Sequence, residues 1–123
     1  MSSKERRTRL ERIAKEADEA AAMEAVKEIG SNSKERRSRL ERIAKEGENE
    51  EVSLKAVKLL GVNSKERRNR LENIAREGEN KKASLKAVKL LGSNSRERRS
   101  RQERIANDAA FSKVAKEATR QLK

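Results

Sequence analysis

Residues 33–63 read SKERRSRLERIAKEGENEEVSLKAVKLLGVN, and residues 64–94 repeat this stretch with changes at only 7 of 31 positions. The opening SKERR block also occurs at residues 3–7 and, with arginine for lysine, at residues 95–99. Repetition at a period of about 31 residues is typical of stacked repeat proteins, in which each unit buries its apolar face on its neighbours. We therefore interpret the chain as a single repeat domain. The four repeats are residues 1–32 as the N-terminal cap, 33–63, 64–94 and 95–123 as the C-terminal cap.

The apolar residues of repeat 33–63 fall into two helical patterns. Leu40, Ile43 and Ala44 recur on one helix face, which predicts a first helix with a single buried stripe. The second pattern is wider, which indicates a helix packed between neighbours. Its apolar members are Val52, Leu54, Ala56, Val57, Leu59 and Leu60. Together the patterns predict an all-α, right-handed α-solenoid of four helix-turn-helix hairpins, about eight helices in all.

Residues that favour helix ends flank the two patterns. The segment from Asn32 to Glu35 has the residues of a capping box, which predicts Asn32 as the N-cap of the first helix. Asn49 is predicted to cap the second helix. Gly47 and Gly61 are predicted to end the first and second helices, as residues that tolerate positive φ.

The terminal repeats are more polar than the central ones. In repeat 1, Glu24 and Glu28 replace a lysine and a leucine of repeat 2. In repeat 4, Gln102 stands at the position of Leu40. Because the terminal units of a solenoid have one face in water, we predict that these polar residues cap the array.

The hairpin plan and its period resemble those of α-solenoid families, namely HEAT-like repeats and tetratricopeptide repeats, although the Trp, Tyr and Pro positions of the latter are absent. Residues 39–61 are also similar to a helical segment of phage terminase small subunits, which bind DNA. The similarity lies in Ile43-Ala44 before Gly47, and in Leu-Lys-Ala at residues 54–56 before Leu-Leu-Gly at residues 59–61. The N-terminal DNA-reading domain of that family has no counterpart here. The near-identical copies and the lack of Cys, His, Pro, Trp and Tyr also resemble an engineered repeat protein.

The composition excludes several kinds of chemistry. The chain contains no cysteine and no histidine, so it lacks the usual zinc ligands and a histidine for acid–base catalysis. Its carboxylates lie among cations, which lower a carboxylate pKa and disfavour proton donation. We therefore predict a non-enzymatic protein with no cofactor and no metal.

The sequence has no apolar run of membrane-spanning length and no signal peptide. These features predict that the protein has no membrane partner and that it is cytoplasmic or nucleoid-associated. We expect a monomer, with end-to-end association as the alternative.

The formal net charge of +12 is unevenly distributed along the chain. Residues 1–32 hold seven cationic and seven anionic side chains, whereas residues 64–94 and 95–123 each hold nine cationic and four anionic ones. This excess of positive charge towards the C-terminus favours a polyanionic partner such as nucleic acid.

The basic residues of the repeated block lie on the first helix of each repeat. Stacking would align equivalent arginines into a ladder with repeats about 10 Å apart, and arginine can bind phosphate through two parallel hydrogen bonds. That ladder is Arg9, Arg39, Arg70 and Arg101. The single aromatic residue, Phe111, offers little for base stacking, so we predict contact with the backbone of duplex DNA. The predicted nucleic-acid-binding residues are Lys34, Arg36, Arg39, Arg42, Lys65, Arg67, Arg70, Arg96, Arg98, Arg101 and Arg104.

Other interpretations of the same charges remain open. Pairs such as Glu35 and Arg39, four residues apart, could simply form ion pairs on a solvated helix surface. The protein could be a structural or engineered scaffold with no native ligand, or it could bind an acidic protein in its concave groove. Asn69 and Asn73 vary between repeats on one face, where side chains could also read bases.

Overall fold

The computed structural model describes residues 2–123, which form α-helices joined by short connections. The helices are α1 Ser3–Glu16, α2 Glu19–Ile29, α3 Lys34–Glu46, α4 Glu50–Leu60, α5 Lys65–Glu77, α6 Lys81–Leu91, α7 Arg96–Asp108 and α8 Ser112–Gln121. The predicted all-α fold of eight helices in four hairpins is therefore confirmed for this part of the chain. None of these helices is long and apolar enough to cross a membrane.

The hairpins stack side by side and form two layers. Each odd-numbered helix packs on the next odd-numbered helix, and each even-numbered helix packs on the next even-numbered one. The core lies between the layers, where Leu40 and Ile43 of α3 meet the apolar side of α4 and are fully buried. Val57 and Leu60 of α4 are also fully buried. The wide apolar pattern of the second helix thus has the predicted cause, because α4 has α2 on one side and α6 on the other.

Backbone hydrogen bonds also join consecutive hairpins. The N–H of Glu48, in the loop after α3, donates to the carbonyl of Lys15 at the end of α1, with an N···O distance of 2.9 Å. Glu79 donates in the same way to Lys45 at 2.9 Å. Since the last carbonyls of a helix have no partner within the helix, these bonds satisfy them and fix the height of each hairpin relative to the one before.

The N-caps of α3, α5 and α7 lie one residue later than the sequence suggests. The backbone of Ser33 is extended and its Oγ accepts from the N–H of Arg36 at 3.1 Å. The prediction of Asn32 as the cap is therefore wrong, because the helix begins at Lys34 and the serine already provides the acceptor. The carboxylate of Glu35 is consequently free to bind another side chain. The cap predicted at Asn49 is confirmed, since its Oδ1 accepts from the N–H groups of the first turn of α4.

The two kinds of glycine in the repeat have different roles. Gly61 has φ of +63°, so the prediction of a positive φ at the end of α4 is confirmed. Gly47 has φ of −61°, so the same prediction is wrong there. A Cβ at Gly47 would lie 2.7 Å from the carbonyl oxygen of Ile43 and 2.7 Å from Oγ of Ser53. Glycine is needed at this site because a Cβ would collide with the Ser53 hydroxyl and with the Ile43 carbonyl, to which that hydroxyl donates at 3.1 Å.

Gln102 is not a solvent-facing cap residue. It is fully buried, and its Nε2 donates to the carbonyl oxygens of Val88 and Gly92 at 3.0 Å each. The polar substitution in repeat 4 therefore ties α7 to the end of α6 instead of meeting water. Glu24 and Glu28 of α2 are exposed, as predicted for the first repeat.

Truncation of one core residue tests this packing. We expect Ile74→Ala to lower the free energy of unfolding by about 2–5 kcal/mol, because the fully buried side chain leaves a cavity. Ile13, the equivalent residue of repeat 1, is only partly buried, so Ile13→Ala should have a smaller effect. Urea denaturation followed by circular dichroism measures both changes. A loss below about 0.5 kcal/mol for Ile74→Ala would show that α5 does not pack as described.

Candidate nucleic-acid interface

At each interface, arginines of one repeat bind a carboxylate of the preceding repeat. Glu72 of α5 is 3% exposed and accepts from two arginines of α7. Arg101, itself 4% exposed, donates from Nη1 at 2.9 Å, and Arg104 donates from Nε at 2.7 Å and from Nη2 at 2.9 Å. Glu11 of α1 accepts from the two equivalent arginines of α3 at 2.7–2.9 Å. A carboxylate of the odd-numbered layer is thus enclosed by cations of the next repeat.

The interface between repeats 2 and 3 is a variation of the same arrangement. Glu41 accepts from Arg70 at 2.9 Å and from Nδ2 of Asn73 at 3.4 Å. Asn69 lies at the next interface, where its Oδ1 accepts from Arg101 at 3.4 Å. The two asparagines considered as base-reading side chains therefore contribute to contacts between repeats. We call Glu11, Glu41 and Glu72 the central glutamates.

A second set of carboxylates extends these contacts at each interface between repeats. Glu66 accepts from Arg37 of the preceding repeat at 2.8 Å and from Arg70 of its own helix at 2.7 Å. The pairs four residues apart that the sequence predicts are therefore present, and they continue across the interface. Glu35 and Glu97 occupy equivalent positions and bind Arg7 and Arg68 of the preceding repeats. We call these contacts, together with those of the central glutamates, the inter-repeat network.

A third set of arginines binds backbone carbonyls. Arg36 donates to the carbonyl of Ile29 at 2.7 Å, and Arg67 donates to that of Leu60 at 2.6 Å. Arg98 occupies the same position and donates to the last residue of α6 at 2.9 Å. Because the carbonyls at a helix C-terminus lack partners within the helix and carry partial negative charge, a cation there stabilises the even-numbered helix.

The electrostatics of the network favour ionised carboxylates. Burial of Glu72 disfavours its charged form, but hydrogen bonds from Arg104 and Arg101 outweigh burial and hold its pKa below the ordinary value of 4.5. Glu11 has a lowered pKa by the same balance between burial and its arginine partners. A hydrogen bond from Arg37 is the main cause of the lowered pKa of Glu66. These carboxylates act as acceptors in the folded protein and not as proton donors.

The arginines of the expected phosphate-binding ladder make contacts within the protein. Arg39, Arg70 and Arg101 lie at equivalent positions, their guanidinium groups face carboxylates, and their side chains are only 5–14% exposed. Arg42 and Arg104 are 43% and 48% exposed, and each binds a central glutamate. These groups hold consecutive repeats together, and their contact with nucleic acid stays a prediction.

Outside the network, two groups of cations recur from repeat to repeat on the described surface. One row follows the N-terminal ends of the odd-numbered helices, where every member is exposed and makes no ion pair within residues 2–123. We call it the edge row, and it consists of Lys4, Lys34, Lys65 and Arg96. Of the residues predicted to bind nucleic acid, Lys34, Lys65 and Arg96 are the ones that fall in this row.

The second group lies on α4 and α6 and was not among the predicted site residues. Its four lysines are exposed or partly exposed and make no ion pair with the rest of residues 2–123. We call it the lysine patch, and it consists of Lys55, Lys58, Lys86 and Lys89. The sequence signal was the recurrence of these lysines after 31 residues on the second helix.

Ion pairs flank the lysine patch on both sides. On α2 the equivalent positions hold Glu24 and Lys27, 4.0 Å apart. On α8 they hold Glu117 and Arg120, 2.7 Å apart. Between them, a shallow surface groove runs along α4 and α6. It is lined by Leu54, Lys82, Leu85, Lys86 and Lys89.

The rise in positive charge along the chain comes from the even-numbered layer. Each odd-numbered helix holds five or six cationic side chains and three acidic ones. In contrast, α2 holds three glutamates and one lysine, whereas α6 holds four lysines and no acidic residue. The charge gradient therefore points to the even-numbered layer and not to the repeated arginine block.

A scan against protein-family models gives no match, and a search of curated proteins gives no similar sequence. Residues 2–123 contain no group of three or more side chains that could hold a metal ion. The positions and partners of the charged side chains are therefore the features that bear on function.

Removal of one central glutamate tests the role of the network. We expect Glu72→Gln to lower the free energy of unfolding by about 3 kcal/mol, because the buried Arg101 loses the nearer of its two carboxylate partners. Glu103→Gln is a matched control, since Glu103 is the equivalent residue of repeat 4 but is exposed and unpaired within residues 2–123. Its effect should stay within about 0.5 kcal/mol. Equal losses in urea denaturation would contradict the assigned role.

The lowered carboxylate pKa values predict how stability depends on pH. Because these pKa values are lower in the folded protein than in the unfolded chain, the unfolded state binds more protons as the pH falls below about 4.5. The stabilisation is therefore complete above that value and is lost as the pH falls through the folded pKa values. Urea denaturation from about pH 7 to about pH 3 should show this fall, and Glu72→Gln should make it shallower. A stability that stays constant over this range would contradict the prediction.

Proposed function

We propose that this protein binds the phosphate backbone of nucleic acid through the lysine patch. The observation that carries the proposal is that Lys55, Lys58, Lys86 and Lys89 lie on adjacent helices and have no ion-pair partner in the part of the chain that the structure describes, although most arginines there are paired. A cluster of solvated cations raises the local concentration of polyanions and exchanges counterions with phosphate. The protein would act by binding, without catalysis.

The composition of the patch constrains the mode of binding. Lysine acts as a mobile point charge on phosphate, whereas bidentate recognition of phosphate or of guanine is the property of arginine. The only apolar residues in the groove are Leu54 and Leu85, so no aromatic ring is present there to stack on a base. The proposal is therefore a contact with the backbone of a duplex, with little dependence on base sequence.

A specific observation favours a second candidate function, that of a repeat scaffold without a native ligand. The arginines of the repeated block, which first suggested a phosphate-binding face, are used between repeats. A protein built for stacking alone would have the same network, and its remaining lysines would serve solubility.

We also propose, from the period and hairpin plan, that the repeat is of the HEAT-like class. A cytoplasmic or nucleoid location would accompany nucleic-acid binding.

A charge-matched pair of variants tests the proposal. The first replaces Lys55, Lys58, Lys86 and Lys89 by alanine, and the second replaces the edge row by alanine. Both remove four positive charges, so any effect of net charge alone is the same in both. Fluorescence anisotropy with a labelled duplex, measured over a series of salt concentrations, gives the Kd and its salt dependence for each protein.

We expect the wild-type protein to bind at low salt with a steep loss of affinity as salt rises. The slope of log K against log salt changes by about 0.9 for each phosphate contact. The patch variant should therefore lose up to about 3–4 in slope, and the edge variant should keep most of it. A larger loss in the edge variant would move the site to Lys34, Lys65 and their neighbours. No binding by the wild-type protein at low salt would contradict the proposal and support the scaffold.

A further inference from the structure

The outer faces of repeats 1 and 4 carry the two halves of the contact that the other repeats complete. Glu103 of α7 stands one repeat after Glu72, is exposed and makes no ion pair within residues 2–123. Arg9 and Arg12 of α1 stand one repeat before the two arginines that bind Glu11. Both are exposed, and neither makes a hydrogen bond or ion pair to a described residue. One outer face thus presents the acceptor, and the other presents its two donors.

The contacts of the second set of carboxylates are also split between the two outer faces. Arg99 occupies the position of Arg68, which binds Glu97 of the next repeat. Within the described residues, its guanidinium donates only to the carbonyl of Ser93 at 3.3 Å. Glu5 occupies the position of a glutamate that binds the preceding repeat, and it is exposed and forms no ion pair with residues 2–123. A second donor–acceptor pair therefore has one member on each outer face.

Apolar side chains on α1 are also partly uncovered. Leu10 and Ile13 are partly buried, whereas the equivalent residues of α3, Leu40 and Ile43, are fully buried with α1 packed beside them. Another repeat placed before α1 would cover this surface as α1 covers α3. The outer face of repeat 1 is thus complementary to the surface with which repeats 1, 2 and 3 contact the repeat that follows each of them.

The even-numbered layer has complementary charges at its two outer helices. The helix α2 holds three glutamates and one lysine, whereas α8 holds two lysines, an arginine and one glutamate. Part of this charge is paired within the molecule, since Glu28 binds Arg6 and Glu24 lies 4.0 Å from Lys27. In the array, each even-numbered helix packs on the next one, and Glu51 of α4 pairs with Lys82 of α6 across that contact. Continuation of this packing would bring α8 of one molecule against α2 of another, with opposite charges.

We infer that two copies of this chain associate head to tail, with α7 and α8 of one copy packed on α1 and α2 of the next. Glu103 of the first copy accepts hydrogen bonds from Arg9 and Arg12 of the second, as Glu72 accepts from Arg101 and Arg104 within the chain. The interface is heterologous, so each dimer still has one free face of each kind and longer linear oligomers can form. The inference does not depend on nucleic-acid binding.

Sedimentation equilibrium at about 0.15 M ionic strength tests the inference, because at this salt the general repulsion between molecules of net charge +12 is screened beyond about 8 Å. The wild-type protein should show an average mass that rises above the monomer value of 14.0 kDa as its concentration increases to about 1 mM. A mass that stays at the monomer value over this range would overturn the inference.

Charge-reversal variants identify the contact. Glu103→Arg gives a protein with arginines on both outer faces, and the double variant Arg9→Glu and Arg12→Glu gives one with glutamates on both. Each variant alone should stay monomeric because like charges meet, whereas an equimolar mixture should associate because every contact is again between opposite charges.

Glu79→Arg serves as the control, since Glu79 is exposed, makes no side-chain ion pair within residues 2–123 and lies in the loop between α5 and α6. It should associate like the wild type. Circular dichroism checks that all variants keep their helices. Self-association of either reversed variant at the wild-type level, or a mixture that stays monomeric, would overturn the inference.

Discussion

A carboxylate buried between two helices needs cationic partners, and this requirement organises the protein. Glu72 is almost inaccessible to water, so its charge is compensated by Arg101 and Arg104 of the next repeat. The same contact recurs at Glu11 and, in modified form, at Glu41. Because a buried charge that lost its partner would strongly destabilise the fold, a stacking register that separates these groups is disfavoured. The network therefore specifies how repeats align, while the apolar core supplies most of the favourable free energy.

This constraint separates the two layers of the solenoid by role. In the odd-numbered layer, most arginines bind carboxylates or helix ends, and the positive charges outside these contacts lie in the edge row and at the outer faces. In the even-numbered layer, packing depends on apolar residues such as Val57 and Leu60, and the lysines project outward. The increase in positive charge along the chain follows the even-numbered helices from α2 to α6, and a polyanion is attracted to accessible positive charge. The repeated motif and the proposed binding surface are thus different parts of the molecule.

The sequence predicts the fold well because apolar periodicity is a local signal. Eight helices, their pairing and buried residues such as Leu40 and Ile74 all follow from the spacing of leucine, isoleucine and valine. Two local details fail for physical reasons. Asn32 and Ser33 both suit an N-cap, and a glycine such as Gly47 indicates either positive φ or close approach, which sequence alone does not distinguish. The candidate site was less predictable, because pairing between Glu72 and Arg101 depends on how repeats stack, which no pattern within one repeat encodes.

The central claim is that Glu72 and Arg101 stabilise the fold through their mutual contact across the interface. A double-mutant cycle with Glu72→Gln and Arg101→Gln is measured by urea denaturation near neutral pH. It distinguishes the free energy of this contact from the individual effects of the two substitutions. We predict a coupling free energy of about 1 kcal/mol or more, since the two side chains are buried and lie 2.9 Å apart. Additivity within about 0.3–0.5 kcal/mol, as for independent sites, would contradict this account of the fold.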